Sequence, residues 1–530
     1  MKNICARGLT IKWLTVLTAA LVIVLAGVLV LSFYGVPCIV DLKVASSVRL
    51  ENDTEQWDRF LDLPIPVITN VYLFTVTNSE DVLKGALPVV QEVGPYVYRQ
   101  NLTRRILSTD SSEDSVTYEK HTAITFDQEL SGDHTEDDMV TVINPALLVL
   151  TQITSSVEQL VVTGCLEKIF PPEYVKLFIH SDVRTLMFEG FPFANMTEEM
   201  GYACNIVRNQ VIQKTKVMKN VEYIYNEEFP EVVQMLKFSY LGFKTQHPDG
   251  VYTVNRGIDD ISKLGTIMRW NYSPFTPYYG RMESLNNDTC KRVRGGDSMI
   301  YPPSVSKDSS FEIFSTDICR TVKLSYAGEG TYEGIKGYRF EPSEDTFYPV
   351  TPNVENDCYC TKRTLNPKGE PSCYLDGIVD VMDCFGAPLL LSFPHFLYAE
   401  KYLNGVRNLA APNKSIHEIY LLLEPNTGIP LQGKKRVQLN VVLRPISHMP
   451  FAANLPETVL PLLWIDEGAE LTQDLIDMLN DQFFDIVKIA NGVKFTLIAI
   501  SAAAVLVAGG ILIRKKYIHW GKARIHVINK

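Results

Sequence analysis

Two apolar runs decide the fold: WLTVLTAALVIVLAGVLVLSFY at residues 13–34 and FTLIAISAAAVLVAGGILI at residues 495–513. A helix needs about 20 apolar residues to cross a hydrocarbon core about 30 Å thick, and each run meets or nearly meets that length. The first run is longer than a signal-peptide core, and no convincing small-residue cleavage site follows it closely. The basic triplet 514–516 ends the second run as a cytoplasmic flank does. The sequence therefore predicts a transmembrane helix near each end.

Basic residues dominate the two short tails outside these runs. Nine of the 50 lysines and arginines, and none of the 61 acidic residues, lie in the tails, so the remainder has a formal net charge of −20. Positive tails favour the cytosolic side of a membrane. We therefore expect a cytosolic tail (1–12), a transmembrane helix (13–36), an ectodomain (37–491), a second transmembrane helix (492–513) and a second cytosolic tail (514–530).

The acidic ectodomain bears on the partners of the chain. A repelling field weakens encounter with nucleic acids and other polyanions, so we expect neither. Excess acid also serves solubility alone, which is the simpler interpretation. Six Asn-x-Ser/Thr sequons fall in the ectodomain and none in a tail, as extracellular glycosylation requires: Asn52, Asn101, Asn195, Asn271, Asn287 and Asn413.

Six cysteines crowd into one part of the ectodomain. An even number in an oxidising compartment indicates three disulfides, and the residues alone do not choose among the pairings. A zinc site is disfavoured because Cys358 and Cys360 are too close for the usual spacing and no matching His pair follows. The six are Cys290, Cys319, Cys358, Cys360, Cys373 and Cys384.

The other four cysteines are less informative. Cys5 lies beside the membrane, where it is a candidate for S-palmitoylation or an inert thiol. Cys38, Cys165 and Cys204 stay unassigned, with one pair and one free thiol, or no pair, as the alternatives.

Periodicity predicts an α+β ectodomain with a mainly antiparallel β core. Val71–Val76 is rich in β-branched and aromatic residues, Gly94-Pro95 predicts a sharp turn, and Glu418–Glu424 is predicted to pair with Arg436–Arg444. Residues of about 145–188 repeat apolar side chains at helical spacing, with Pro171-Pro172 in the middle. We expect that segment to form a helical hairpin.

Local catalytic motifs are absent from the sequence. There is no G-x-S-x-G elbow, H-E-x-x-H pair, phosphate-binding loop or dinucleotide fingerprint, and no His/Asp/Glu cluster at ligand spacing. We therefore expect no enzyme, no cofactor and no metal. His180 is either a switch for a partner surface at acidic pH or a partly exposed structural histidine.

Several separated motifs, in this order, carry a resemblance to a known family. The chain resembles the class B scavenger receptors, or fatty-acid translocase family, over nearly its whole length. That family includes the lysosomal integral membrane protein and the insect sensory neuron membrane proteins. The matching stretches are residues 71–78, 92–99, 314–320, 358–360, 392–398, 435–440 and 460–468.

The resemblance implies a β-barrel-like ectodomain with a helical apex bundle and an internal hydrophobic tunnel. It also implies three disulfides: Cys290 with Cys358, Cys319 with Cys384, and Cys360 with Cys373. The family's fatty-acid translocase has closely spaced apex lysines that dock anionic ligands, whereas residues 171–182 keep only Lys176. The candidate apex surface for a ligand or partner is Lys176, Phe178 and His180.

The function implied by this resemblance is a cell-surface receptor or transporter. It would bind fatty acids, other lipids, carotenoids or lipid-like pheromones and pass them through the tunnel to the membrane or a neighbouring receptor. Residues 316–321, 331–337 and 464–468 look most like the sensory neuron membrane proteins. The absence of an acidic dileucine signal favours the plasma membrane over lysosomes. The alternatives are a trafficking receptor that binds a soluble protein at the apex, as the lysosomal member does, and a phagocytic receptor.

Overall fold

A computed structural model describes residues 2–148, 156–196, 200–279, 290–348, 354–359, 364–372 and 374–528. The chain forms two units, Met1–Val48 with Thr472–Lys530, and Arg49–Leu471. The α-helices are α1 (Lys2–Val30), α2 (Val36–Val48), α3 (Glu55–Leu61), α4 (Ser79–Val82), α5 (Gln128–Ser131), α6 (Ser156–Ile169), α7 (Tyr202–Thr215), α8 (Phe243–Gln246), α9 (Met382–Phe385), α10 (Lys414–His417), α11 (Gln473–Leu479) and α12 (Asp485–Ile528).

The first unit is built from long apolar helices. A π-helical turn at Leu31–Gly35 joins α1 to α2, and α1 packs against α12. Two spans, Ile11–Val48 and Gln473–Gly521, are long and apolar enough to cross a membrane, and their side chains are almost entirely exposed. Exposed apolar side chains on a helix suit a hydrocarbon environment, where the helix satisfies its own backbone groups. The two predicted terminal membrane helices are confirmed, and the helices continue beyond the apolar runs.

The second unit is organised by one sheet of 14 antiparallel strands. Its main path runs β10-β9-β3-β2-β1-β21-β20-β19-β13-β12-β11, and the short strands β16, β17 and β18 branch from β20. The strands on the main path are β1 (Val67–Val76), β2 (Val90–Asp110), β3 (Ser115–Phe126), β9 (Val251–Asn255), β10 (Ile267–Trp270), β11 (Ser310–Ser315), β12 (Arg320–Tyr332), β13 (Ile335–Pro342), β19 (Tyr420–Leu423), β20 (Pro430–Leu443) and β21 (Thr458–Glu470).

The remaining strands form the branch and three small sheets. In the small sheets β4 pairs with β5, β8 pairs with both β6 and β7, and β14 pairs with β15. These strands are β4 (Met139–Ile143), β5 (Phe178–Asp182), β6 (Phe191–Asn195), β7 (Val221–Tyr225), β8 (Val233–Phe238), β14 (Thr364–Leu365), β15 (Pro371–Ser372), β16 (Tyr374–Leu375), β17 (Ile378–Asp380) and β18 (Leu390–Ser392).

The large sheet is antiparallel, as predicted, but strand pairing among the described residues does not close it into a barrel. Its first and last strands are instead tied together by two glycines. Ile267 of β10 donates its backbone N–H to Gly295 O over 2.8 Å, and Gly296 donates to Glu312 O of β11 over 2.9 Å. Gly295 has φ +84°, and an added Cβ would lie 2.0 Å from Glu312 O. Only glycine fits this close approach between the two edges.

The strand predictions are confirmed in part. Val71–Val76 lies in β1, and β19 pairs with β20 across the turn after Glu424. The partner of β19 is residues 430–434, however, and residues 438–440 of β20 pair with β18 instead. The turn predicted at Gly94-Pro95 is wrong: both residues lie inside β2, opposite a register shift in β1. A glycine is required at position 94 because the two strands pack closely there, and an added Cβ would lie 2.7 Å from Val71 O.

The predicted helical hairpin at 145–188 is also wrong in its second half. α6 is helical, but residues 178–182 form strand β5, which pairs with β4. Leu177, Ile179 and Val183 are buried while His180 is exposed, so the burial has the period of a strand. The helix that packs against α6 is α7, which begins at Tyr202.

Gly295→Ala tests the tie between the two sheet edges. We expect a loss of more than about 2 kcal/mol in unfolding free energy, since the substitution combines a positive φ with a backbone clash. Thermal unfolding of the full-length protein in detergent measures the change. Gly328→Ala is the matched control, because an added Cβ there meets no atom within 4 Å. Equal midpoints for the two variants would contradict the proposed tie.

Candidate functional site

The apical module consists of α6 and α7 with the small sheets beside them. Helical spacing places Val162, Leu166 and Ile169 of α6 in the core, together with Val207 and Val211 of α7. A disulfide between Cys165 and Cys204 joins the two helices, with their Cα atoms 5.4 Å apart. The sequence alone left this pair open, because the spacing of the two cysteines does not show which helices are neighbours.

A small, mainly apolar pocket with a free volume of about 20 Å³ lies beside these helices and is partly open to solvent. Aliphatic and aromatic side chains form most of its wall, and Lys214, Thr215 and Asn220 provide the polar groups. A free volume of about 20 Å³ holds about one water molecule, so a larger ligand requires the wall to open. The apolar side chains in the wall come from Ala146, Phe170, Phe193, Val211, Met218, Val221, Phe238 and Ala387.

The predicted apex residues lie next to this module but do not form one exposed surface. Lys176 and His180 are exposed, and His180 Nδ1 lies 3.2 Å from Thr141 Oγ1. Phe178 is only half-exposed and packs against the main core. Lys176 and His180 are therefore available to a partner, while Phe178 contributes mainly to packing.

A cluster of charged side chains lies on the inner face of the large sheet. Asp317 forms ion pairs with Lys244 Nζ at 3.0 Å and with Lys435. Glu467 of β21 lies 3.6 Å from Lys435 Nζ of β20, and Gln100 donates to it over 3.5 Å. Lys435 and Glu467 are directly paired positions on adjacent strands, which places their side chains on one face.

Two further ion pairs extend the cluster across β2, β3 and β9. Asp297 accepts from Arg104 over 3.0 Å and from the Tyr118 hydroxyl over 3.1 Å. Lys120 Nζ lies 2.6 Å from Asp249, which also accepts from the Tyr252 hydroxyl over 2.9 Å. With Lys219, whose pKa responds to these charges, the inner charge cluster comprises Arg104, Lys120, Lys219, Lys244, Lys435, Asp249, Asp297, Asp317 and Glu467.

Three members of the cluster are partly accessible to water. Water reaches 20% of the Lys244 side chain, 21% of Asp317 and 34% of Lys435. Burial is nevertheless the largest influence on the pKa of Asp317 and of Lys435. Their charged groups are therefore partly accessible and partly desolvated.

Charge pairing outweighs burial at most of these groups. Burial by itself raises the pKa of Asp317, but Lys244 and Lys435 hold that pKa well below its usual range. Burial lowers the pKa of Lys435, and Asp317 with Glu467 more than reverses the effect. Lys219 is the exception, because burial lowers its pKa and the nearby charges do not restore it. These directions show that the paired members keep their charges near neutral pH.

Two buried histidines, His395 and His417, form a second polar group. Their rings are stacked, with centroids 4.3 Å apart. His395 Nε2 lies 2.6 Å from Glu92, and its Nδ1 lies 2.9 Å from Ala410 O. His417 Nδ1 accepts the backbone N–H of Asn413 over 3.0 Å, so this ring is held neutral. Burial, followed by the charge of His395, lowers the pKa of His417 from 6.5 to about 4.

Two further disulfides of the second unit match pairs that the resemblance implies. Cys290 is joined to Cys358, and Cys319 to Cys384. The third implied pair, Cys360 with Cys373, lies outside the described residues. Cys38 is an exposed free thiol.

The sequon asparagines differ in exposure. Asn195 is half-buried, and Asn287 lies outside the described residues. The asparagines exposed on the second unit are Asn52, Asn101, Asn271 and Asn413. Cys5 lies in α1.

No group of three metal-ligating side chains occurs within the described ranges. The inner charge cluster was not predicted from the sequence, because its members come from eight separate segments. Asp317 was noted only as part of a family motif. Lys120 is an isolated charge in the alternating pattern of β3, and the sequence does not indicate the carboxylate that it contacts, Asp249.

Comparison with known proteins gives a consistent result. The family model described as "CD36 family" matches residues 18–512. Sensory neuron membrane protein 2 of Manduca sexta is 32% identical over 467 residues, covering 87% of this chain and 86% of that protein. The protein of the same name from Anopheles gambiae is 30% identical, covering 88% and 87%. Sensory neuron membrane protein 1 of Pediculus humanus subsp. corporis is 28% identical, covering 86% and 83%.

The low pKa of His417 predicts a loss of stability in acid. An unfolded histidine becomes protonated near its ordinary pKa of 6.5, while His417 in the folded protein becomes protonated only near pH 4. The contribution of His417 to the unfolding free energy is therefore complete above about pH 7. It falls as the pH drops towards 4, and the loss is about 2 kcal/mol at pH 5. We expect His417→Gln to reduce the fall in thermal unfolding midpoint between about pH 7.5 and pH 5.

Full-length protein in detergent is the material for this measurement. His180→Gln is the control, since that ring is exposed. An unchanged pH dependence in His417→Gln would show that other groups cause the acid sensitivity.

Proposed function

Because this chain belongs to the CD36 family, we propose that it is a receptor or transporter for long-chain hydrophobic ligands, such as fatty acids, other lipids, carotenoids or lipid-like pheromones. The ligand would enter the second unit and be passed to the membrane or to a neighbouring receptor. The observation that carries the proposal is the mainly apolar pocket beside α6 and α7, whose wall must open to admit a long chain. Each CH₂ group buried in such a pocket contributes about 0.8 kcal/mol, so binding a long chain requires no catalytic group.

The relatives support the proposed receptor function, and their names do not specify a ligand. Their names describe membrane proteins of sensory neurons, and the match covers most of each chain. We propose a comparable sensory role here, in which the protein presents a lipid-like signal to a receptor in the same membrane. No charged group dominates the pocket wall, and Lys214 is the one cation among its lining residues.

The same proposal includes a topology. Both termini lie in the cytosol of a plasma-membrane protein, and the second unit, with its described disulfides, faces the oxidising exterior. The basic tails and the exposed sequon asparagines of the second unit support this orientation. Cys5 then lies on the cytosolic side, where palmitoylation is available to it.

Filling the pocket tests ligand binding. Ala146→Phe places a ring in the pocket wall, and we expect it to abolish most uptake of palmitic acid and methyl palmitate by the delipidated full-length protein. Native mass spectrometry from detergent measures the bound ligand, with about one per chain expected for the unmodified protein. Thermal unfolding verifies that the variant is folded.

Ala123→Phe is the matched control, because this alanine is exposed on β3. It should bind as the unmodified protein does. Failure of the unmodified, folded protein to take up either ligand would end the proposal and favour a protein partner at the apex, near Lys176 and His180.

Topology has its own test in intact cells. Tags on both termini should be protected from external protease, while glycosidase should reduce the mass of the second unit. We expect a loss of one glycan in each of the variants Asn52→Gln, Asn101→Gln, Asn271→Gln and Asn413→Gln. A tag digested in unpermeabilised cells would contradict the cytosolic position of that end.

A further inference from the structure

Lys494 lies at the boundary of the second apolar run, which begins at Phe495. It belongs to the continuous helix α12, and the next cation along that helix is Arg514. At 1.5 Å per residue the two cations are about 30 Å apart along the axis, which is the thickness of a hydrocarbon core. Lys494 and Arg514 therefore lie near the head-group levels of opposite leaflets, with Lys494 on the ectodomain side.

Two aromatic rings hold the ammonium group of Lys494 at this level. Its nitrogen lies 4.3 Å from the ring centre of Phe33 and 5.4 Å from that of Phe495. Phe33 belongs to the π-helical turn between α1 and α2, so the contact joins the two membrane helices. Lys494 is half-buried, while Val493 and Phe495 on either side of it are exposed. The lysine therefore has a defined position against the other helix.

No acidic side chain of the described residues neutralises Lys494. Among them, no carboxylate lies within 4.0 Å of its Nζ and no hydrogen-bond acceptor within 3.5 Å. The nearest acid on the same helix, Asp485, precedes it by about 13 Å along the axis and already pairs with Lys488 at 2.8 Å. The nearest acid after Phe33 is Asp41, about 12 Å further along that chain segment. An anion for this lysine therefore comes from outside the chain.

We propose that Lys494 binds the phosphate group of a phospholipid in the leaflet on the ectodomain side. At this depth the lipid phosphates are the abundant anions, and lysine side chains near the ends of membrane helices extend towards that level. A charge held against two rings beside hydrocarbon is costly unless it is paired, and a phosphate oxygen pairs it through a charge-assisted hydrogen bond. This lipid is a fixed component of the helix pair, distinct from the ligand proposed for the apolar pocket.

The side chains around the lysine suit the rest of a phospholipid. Phe33, Tyr34 and Phe495 are each more than half exposed, at 52%, 75% and 59%. Aromatic side chains at a membrane interface sit at the level of the head groups, where their rings contact the glycerol region and the first CH₂ groups. The phosphate then meets the ammonium group while the acyl chains follow the apolar faces of α1 and α12. A diacylglycerol has the same chains without the phosphate, so it lacks the first of these contacts.

A photo-cross-linking competition tests the phosphate contact. Tyr34→4-benzoylphenylalanine places a photoreactive ring beside this site, about 30 Å from the basic residues 514–516 at the other end of the span. Full-length protein in detergent receives equal amounts of phosphatidylglycerol and of a diacylglycerol with identical chains, and mass spectrometry measures the ratio of the two adducts. We expect the phospholipid to predominate and Lys494→Met to lower the ratio about tenfold, because one charge-assisted hydrogen bond is lost.

Two further variants on the same helix serve as controls. Lys488→Met removes an exposed lysine that already has a carboxylate partner, so the ratio should stay unchanged. Lys494→Arg retains a cation that binds phosphate and should keep most of the preference. Thermal unfolding midpoints equal to that of the unmodified protein verify that the variants are folded.

The inference fails if diacylglycerol and phospholipid react equally with the protein that retains Lys494, or if Lys494→Met keeps the original ratio. It fails as well if Lys488→Met lowers the ratio as far as Lys494→Met does. Excess glycerol 3-phosphate carries the phosphate without the chains, and a loss of preference in its presence would indicate a site for small anions only. Binding of palmitic acid in the apolar pocket is a separate measurement, so its outcome leaves the lipid site unaffected.

Discussion

The two ion pairs of Asp317 are the interaction on which the second unit depends most. Its carboxylate connects Lys435 in the middle of the large sheet with Lys244 in α8, and it lies two residues before Cys319 of a disulfide. Because burial opposes a charge at this position, Asp317 stays ionised only while both lysines stay in place. One side chain thereby fixes the relative positions of a strand, a short helix and a disulfide-bonded loop.

A charged interior of this kind is costly unless it does something that apolar side chains cannot. Replacing a buried ion pair with apolar residues of similar volume is often neutral or stabilising, so ion pairs by themselves are weak grounds for stability. The cluster here has five cations against four carboxylates, and an excess charge adds to that cost.

The sequence predicts those parts of the fold that depend on local patterns. Apolar length identifies the helices around Trp13–Tyr34 and Phe495–Ile513, and alternation identifies β20, because both signals lie within one segment. The predicted turn at Gly94-Pro95 fails for a tertiary reason: the glycine serves a close approach to Val71 on the neighbouring strand. The cluster around Asp317 has no local signal, since its partners are more than 70 residues away in the chain.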